Sequence, residues 1–248
     1  MKEQIYTIPV MDAFRSAADE KSCPICIMKR KLESASLEYT LGPSYMEDDA
    51  RAETDRTGFC AAHWEKLYAA QNRLGLSLIT LTHVRHIIQV MDKRRNANPI
   101  KRSGIFSKST DPPAPLYDGL RGIESGCCIC ARVGESLNRY IDTMFSMWPK
   151  TPELHTRAED CGGFCLTHFV TLLNQGPRKL NERGWREFLD AVYPIQRKSM
   201  ETLEADLDWF IKKFDYRYAD EPWGNSKDAL PRALRTVGGI GKKEDGNV

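Results

Sequence analysis

The sequence predicts an all-α fold, and three observations support that prediction. Apolar residues recur at helical spacing in several segments, no run alternates between apolar and polar residues, and one motif-bearing unit occurs twice. The chain has 248 residues, of which 41% are hydrophobic, which is ordinary for a protein that buries a core. At roughly 150 residues per domain, this length predicts one or two domains.

The first half of the chain contains three predicted helices. After Cys26, the apolar spacing predicts one helix. A capping box, Ser44-Tyr-Met-Glu47, predicts a short helix before Gly58. From Ala61 to about Met91 the pattern predicts one long helix, because no Pro interrupts it. We expect its core face to carry Leu67, Leu74, Leu78, Leu81 and Ile88.

The second half shows the same kind of pattern. A wide apolar stripe after Cys130 predicts a helix as far as Trp148, and Leu203 to Phe214 predicts another that reaches back to a break at Pro194. Four prolines between residues 96 and 118 indicate an irregular linker. The sequence thus predicts a first repeat over 1–95, a linker over 96–118, a second repeat with the C-terminal helix over 119–218, and an irregular tail over 219–248.

Composition narrows the class of protein. The net charge of +2 creates no global field for nucleic acid or an anionic membrane, and apolar runs are only a few residues long, so we expect no transmembrane helix. The N-terminus has no apolar signal segment, which favours a cytoplasmic protein with reduced thiols. We find no phosphate-binding loop, nucleophile elbow or HExxH motif, and therefore expect no catalytic residue.

The eight cysteines are clustered in a repeated pattern. Cys23-Pro-Ile-Cys26 precedes Gly58-Phe-Cys60-Ala-Ala-His63, and Cys127-Cys-Ile-Cys130 precedes Gly163-Phe-Cys165-Leu-Thr-His168. The Cys of the CxxH motif follows the second Cys of the pair by 34 positions in the first half and by 35 in the second. Two motifs that recur in the same order at nearly the same spacing indicate duplication of one unit.

Each unit offers three thiolates and one imidazole, which is a ligand set of structural zinc sites. Two intervening residues let a tight turn direct both donors at one ion. We expect one zinc ion in each repeat, clamping the starts of two helices. The expected ligand sets are Cys23, Cys26, Cys60 and His63 in the first repeat, and Cys127, Cys130, Cys165 and His168 in the second. Spacing alone does not exclude exchange of ligands between the repeats.

Two other cysteine chemistries stay open. A Cys3His set can also ligate an iron–sulfur cluster, and the thiols could serve redox chemistry. A thioredoxin-like site is excluded by the lack of a βαβ pattern, and haem attachment by the absence of CxxCH. Cys128 and Cys161 lie outside the motifs, and we expect them to be small buried hydrophobes.

Three further segments have alternative interpretations. His83 and His86 could face a metal or a partner, although a core or surface pair is favoured. Six cations from Lys93 to Lys108 could contact nucleic-acid phosphates, but a helix C-terminus also favours cations. The aromatic segment from Trp209 to Tyr218 fits core packing better than base stacking.

Longer stretches resemble an uncharacterised bacterial family, a domain of unknown function with paired CxxC and GFCxxH motifs. The matching stretches are IYTIPVMDAF, LGPSYMEDDARAETDRTGFCAAHW, GGFCLTHF and LDWFIKKFDYRYADEPWGNSKDALPR. This resemblance implies a bacterial protein but no established activity. We expect a zinc-binding cytoplasmic protein of binding or regulatory role, with a protein partner or a second copy and no membrane. Nucleic acid is the weaker alternative partner.

Overall fold

A computed structural model describes residues 6–97 and 114–238, and it confirms the all-α class. Within these ranges the chain forms eleven α-helices and no strand. The helices are α1 (Thr7–Glu20), α2 (Pro24–Leu41), α3 (Asp48–Thr57), α4 (Ala61–Ala69), α5 (Arg73–Ala97), α6 (Ala114–Glu124), α7 (Cys128–Met147), α8 (Pro152–Cys161), α9 (Leu166–Lys179), α10 (Glu182–Lys212) and α11 (Ala229–Gly238). Short 3₁₀ turns link several of them.

The described chain divides into two compact units that differ from the sequential halves expected from the repeat. The discontinuous unit comprises residues 1–31 and 136–248, and the continuous unit comprises residues 32–135. Both boundaries fall inside helices, α2 and α7, rather than in the linker expected over 96–118. Both ends of that linker are helical, because α5 ends at Ala97 and α6 begins at Ala114. Residues 98–113 of the linker lie outside the described chain.

The core of the discontinuous unit forms where α1 packs against α8 beside α7, α9 and α10. Phe14, Phe145 and Phe188 are fully buried there, and the last two meet edge to face with ring centroids 5.2 Å apart. Burying a large apolar side chain contributes about 1.5–3 kcal/mol. This core therefore holds together two segments that are far apart in sequence.

The continuous unit has a smaller core, in which α5 packs against α3 and α6. Leu67, Ile79 and Ile129 are its most deeply buried members. Arg51 of α3 donates to the carbonyl oxygen of Leu78 at 3.3 Å and to Oγ1 of Thr82 at 3.1 Å, which fastens α3 to α5. Helix α3, although rich in acidic residues, therefore packs against α5 through Arg51.

The predicted long helix from Ala61 to Met91 is wrong, because the chain breaks between α4 and α5. Gln71 has a left-handed φ of 63°, and Oδ1 of Asn72 accepts the N–H of Gly75 at 3.0 Å. The Asn72 amide also donates to the Leu41 carbonyl at 2.7 Å. The predicted core face of this segment is wrong beyond Leu67, since Leu74 of α5 is 67% exposed.

The C-terminal part of the chain is more helical than expected. Helix α10 continues through Pro194, which is exposed, so the carbonyl that loses its helical partner can reach water. The expectation of an irregular tail is wrong over Ala229–Gly238, which is α11. The core-packing interpretation of the aromatic segment is also wrong in part, because Phe214 is 77% exposed and Tyr216 87%.

One helix in the described ranges, over Arg73–Arg95, is long and apolar enough to cross a membrane by length and composition. The prediction that the sequence offers no such segment is therefore wrong by this criterion. A single helix of this kind is weak evidence for a membrane span. It belongs to α5, which packs against α3 and α6 and buries His83.

Gly176 of α9 marks a close approach to α10 that leaves no room for a side chain. A Cβ there would lie 2.1 Å from Cζ3 of Trp185. We expect Gly176→Ala to lower the free energy of unfolding by about 1–3 kcal/mol, because the half-buried ring of Trp185 must shift. Gly134 of α7 is the matched control, since its Cβ would meet nothing within 4 Å. Gly134→Ala should raise stability by about 0.5–1 kcal/mol. Equal urea midpoints for the two variants would contradict the packing argument.

Candidate metal centres

The first cluster contains Cys23, Cys26, Cys165 and His168, all in the discontinuous unit. Nδ1 of His168 lies 3.6 Å from the sulfur of Cys23, 3.3 Å from that of Cys26 and 3.2 Å from that of Cys165. The sulfurs of Cys26 and Cys165 are 3.6 Å apart. Three of the four residues are buried, and Cys26 is half-buried. This cluster is thus closed off from solvent on most sides.

The second cluster contains Cys60, His63, Cys127 and Cys130, all in the continuous unit. Nδ1 of His63 lies 3.2 Å from the sulfurs of Cys60 and Cys127 and 3.4 Å from that of Cys130. The sulfurs of Cys60 and Cys130 are 3.9 Å apart. Cys130 is exposed, so this cluster is open on the side of Cys130.

The dimensions of both clusters fit one tetrahedral ion each. With zinc–sulfur and zinc–nitrogen bonds of about 2.3 and 2.0–2.1 Å, a tetrahedron separates two sulfurs by about 3.8 Å and a sulfur from the nitrogen by about 3.6 Å. In each cluster the four donor atoms lie within 4.8 Å of one another. All eight cysteines of the chain are free of disulfides. The two groups could therefore hold metal ions.

The structure corrects how the eight donors are divided. The expected local sets placed Cys60 and His63 with Cys23, and Cys165 and His168 with Cys127. Instead, each CxxC motif meets the CxxH motif of the other half. The reason lies in the course of two helices. Helix α2 begins in the discontinuous unit and ends in the continuous one, and α7 begins in the continuous unit and ends in the discontinuous one. Each CxxC motif therefore lies in a different unit from the CxxH motif that follows it in sequence.

Each cluster forms where the N-termini of two helices meet. Cys165 is the N-cap of α9 and Cys60 the N-cap of α4, while the CxxC motifs lie at the starts of α2 and α7. The positive end of a helix dipole stabilises a nearby thiolate. The repeated motifs therefore place three thiols and one imidazole at helix starts that favour negative charge.

The glycine before each Phe-Cys has a positive φ, 57° at Gly58 and 86° at Gly163. At Gly58 a Cβ would lie 2.5 Å from Nε2 of His83, whose Nδ1 donates to the Asp55 carbonyl at 2.8 Å. His83 is therefore a core residue that supports the turn before Cys60, as the core interpretation of this histidine expected.

In the discontinuous unit, Gln196 supports the turn at Gly163 that precedes Cys165. Its Oε1 accepts the N–H of Phe164 and its Nε2 donates to the Phe164 carbonyl, both at 2.9 Å. In the continuous unit the Gly58 carbonyl instead accepts from the N–H of Cys128 at 3.1 Å. Gln196 was not predicted from the sequence, because a residue on α10 that lies 32 positions from Phe164 gives no local signal.

Without metal, the thiols of the clusters differ in pKa, so some hold their protons more tightly than others. Hydrogen bonds from Cys23 and Cys26 lower the pKa of Cys165, whereas the shared hydrogen bond with Cys165 raises the pKa of Cys26 to about 11. In the second cluster, burial of its sulfur and the neighbouring Cys127 raise the pKa of Cys130 to about 12. Cys26 and Cys130 are therefore protonated at neutral pH. Metal binding must release these protons, so affinity rises with pH.

A carboxylate supports only the second cluster. Nε2 of His63 donates to Oε1 of Glu33 at 2.9 Å, and Lys66 contacts Oε2 at 2.6 Å. Burial opposes the charge of Glu33, but Lys66 and His63 together outweigh it and lower the pKa of the carboxyl. Among the described residues no hydrogen bond reaches Nε2 of His168. Glu33 precedes His63 by 30 positions and was not predicted from the sequence.

We expect Glu33→Gln to weaken metal binding at the second cluster by about 10- to 100-fold, because the carboxylate orients His63 and raises its basicity. Affinity at the first cluster should not change. Glu38→Gln is the control, with the same loss of charge on the same helix, and within the described ranges only Ser34 donates to its carboxylate. Titration against a chromophoric chelator measures both sites. A Glu33→Gln variant that binds two ions as tightly as the wild type would contradict this role.

The remaining predicted features have structural roles. Cys128 is 1% exposed and Cys161 5%, and neither belongs to a cluster, which confirms the prediction of small buried side chains. Trp209 donates to the Pro222 carbonyl at 3.0 Å, and Arg232 contacts Asp206 at 2.9 Å. The stretch from Pro222 to Arg232 therefore packs onto α10. Lys101, Arg102 and Lys108 lie outside the described residues.

The fold and its two clusters define an all-α protein with a pair of Cys3His-type candidate metal sites. DUF6062, described as a family of unknown function, matches residues 1–244, and the chain belongs to this family. No curated protein and no solved structure matches the sequence.

Proposed function

We propose that each cluster holds one structural zinc ion and that the protein acts as a binding or regulatory module. The observation that carries this proposal is the grouping of three sulfurs and one Nδ1 within 4.8 Å in both clusters. Four protein ligands leave no open coordination position for a substrate, which favours a structural over a catalytic metal. The Cys3His composition is a known ligand set for such sites.

The same distances weigh against a multi-iron cluster. Its protein ligands bind different iron atoms, so their donor atoms are farther apart than the ligands of one ion. Both groups of donors are compact enough for a single metal, with sulfur–sulfur distances of 3.6 and 3.9 Å. Among the alternatives, thiol redox chemistry fits the exposed Cys130 best, whereas Cys23 and Cys165 are buried.

A binding role is supported by the exposed face of α5. Five large apolar side chains lie exposed along it at spacings of seven, three, four and three residues: Leu74, Leu81, Val84, Ile88 and Met91. This spacing is typical of the contact seam between two packed helices. A protein partner or a second copy in the cytoplasm suits such a face.

Elemental analysis and an optical spectrum of protein purified without air test this proposal. We expect about two zinc ions per chain and no visible absorption. Iron with visible charge-transfer bands would overturn the zinc assignment in favour of an iron protein. Protein without bound metal that stays folded and unchanged by added zinc would overturn the structural role.

A further inference from the structure

The continuous unit contains two adjoining cavities, whose described lining includes none of the cluster residues. The first has a volume of about 370 Å³ and an apolar lining that includes Phe59, Trp64, Ile87, Leu120 and Ile123. The second, about 290 Å³, shares Thr57 and Ile123 with the first. Volumes near 300 Å³ and above are typical of sites for small ligands. Together the cavities form a bipartite groove among α3, α5 and α6.

The second cavity is strongly cationic. Among the described residues, its lining includes Arg56 of α3 and His86, Lys93 and Arg94 of α5, and no acidic residue. No ion pair or hydrogen bond within the described ranges engages Arg56, Lys93 or Arg94. Of the described residues that line the first cavity, only Glu124 carries a carboxylate. A helix C-terminus favours each cation singly, since Arg56 lies in the last turn of α3 and Arg94 in the last turn of α5, but it does not explain why both line one cavity.

One of the glycines that line the cationic cavity leaves part of its wall without a side chain. Gly119 and Gly122 of α6 both line it. A Cβ at Gly119 would meet Cγ1 of Val90 at 3.1 Å, but a Cβ at Gly122 would meet nothing within 4 Å. Gly122 therefore leaves space beside the cations that a ligand can occupy.

We propose that this groove binds a small phosphate monoester, with the phosphate among Arg56, Lys93 and Arg94 and an apolar or aromatic body against Trp64 and Phe59. Three permanent cations favour a doubly charged phosphate over a single carboxylate. The adjoining apolar wall favours a ligand with a hydrophobic portion over inorganic phosphate. This site contains none of the eight cluster residues, although Phe59 and Trp64 adjoin Cys60 and His63, and it goes beyond the structural role proposed for the metal.

Calorimetric titration of the full-length, metal-loaded chain tests the proposal with two probes. Adenosine monophosphate presents an aromatic body, and octyl phosphate an aliphatic one, so the tighter probe identifies the body. Adenosine and octanol are their uncharged counterparts. We expect one of the phosphates to bind with a stoichiometry of one, at least tenfold tighter than its uncharged counterpart, and to change the fluorescence of Trp64.

Gly122→Glu places a carboxylate among the cations and should weaken phosphate binding at least tenfold. Gly134→Glu is the matched control, because Gly134 is also helical, open and in the continuous unit. A second variant, Arg56→Gln with Lys93→Gln, should weaken binding similarly even if Gly122→Glu misfolds. Its control is Arg178→Gln, an exposed cation of α9.

Three outcomes would overturn the proposal. Neither phosphate binds at millimolar concentration, or an uncharged counterpart binds equally well, or the Arg56 and Lys93 double variant binds unchanged. If only a single-stranded 20-nucleotide DNA binds, the cations serve nucleic acid and the small-ligand site is rejected.

Discussion

Loss of the metal at the first cluster is expected to unfold the discontinuous unit. Cys165→Ser removes one ligand from a site whose other members, Cys23 and His168, are buried. Structural zinc contributes about 10–16 kcal/mol in peptides, whereas whole domains are stable by about 5–15 kcal/mol. The loss therefore matches or exceeds the stability that the unit has available.

The size of this effect follows from where the ligands lie. Cys23 and Cys165 are part of the same core as Phe14, Phe145 and Phe188. Releasing the metal leaves sulfurs with raised pKa values, such as Cys26, protonated and without their shared ligand. The helix starts of α2 and α9 then lose the link that joins them.

Near-ultraviolet circular dichroism and Trp fluorescence measure the loss, since Trp148 and Trp185 lie in this unit. Cys161→Ser is the matched control, because Cys161 is equally buried in the same core but belongs to no cluster. We expect it to cost about 1–3 kcal/mol and to retain both ions. A Cys165→Ser variant with two bound ions and the wild-type unfolding midpoint would falsify the structural role of this site.

Paired substitutions are expected to reveal the exchange of ligands between the halves. Cys26→Ala with Cys165→Ala removes two ligands from one cluster, so one metal ion per chain should remain. Cys26→Ala with Cys60→Ala removes one ligand from each cluster, so both sites should be impaired. If the ligands were paired within each half, these two results would be reversed.

Metal content after dialysis against a weak chelator measures this difference. Rapid oxidation of the metal-loaded wild-type protein, in which both units are still folded, provides a check that does not need the variants to fold. It should link Cys26 to Cys165 and Cys60 to Cys130, whose sulfurs are 3.6 and 3.9 Å apart. Peptide mapping that recovers Cys26 joined to Cys60 as the main product would contradict the arrangement.

Local patterns explain what the sequence could predict. Helical spacing of apolar residues depends on 3.6 residues per turn, so the all-α class was readable without tertiary information. Two residues between ligands fix both donors near one ion, so the eight cluster residues were readable from CxxC and CxxH. Asn72 is a favoured N-cap residue, and its position could have indicated the break before α5. The apolar pattern across this break concealed it.

Other features depend on contacts between distant segments. Glu33 supports His63 across 30 positions and Gln196 holds Phe164 across 32, and neither has a motif of its own. Helix α10 continues through Pro194 because this proline is exposed, so that water can replace the missing backbone hydrogen bond. Whether a proline ends a helix thus depends on its surroundings.

By itself, the sequence determined the helical class and the identity of the eight cluster residues, since both follow from spacing along one segment of chain. Only the tertiary structure decided which four residues share a cluster. Helices α2 and α7 each begin in one unit and end in the other, so each pair of cysteines meets the CxxH of the other half. The pairing of the motifs is therefore determined by packing between distant segments and not by the spacing of residues within one segment.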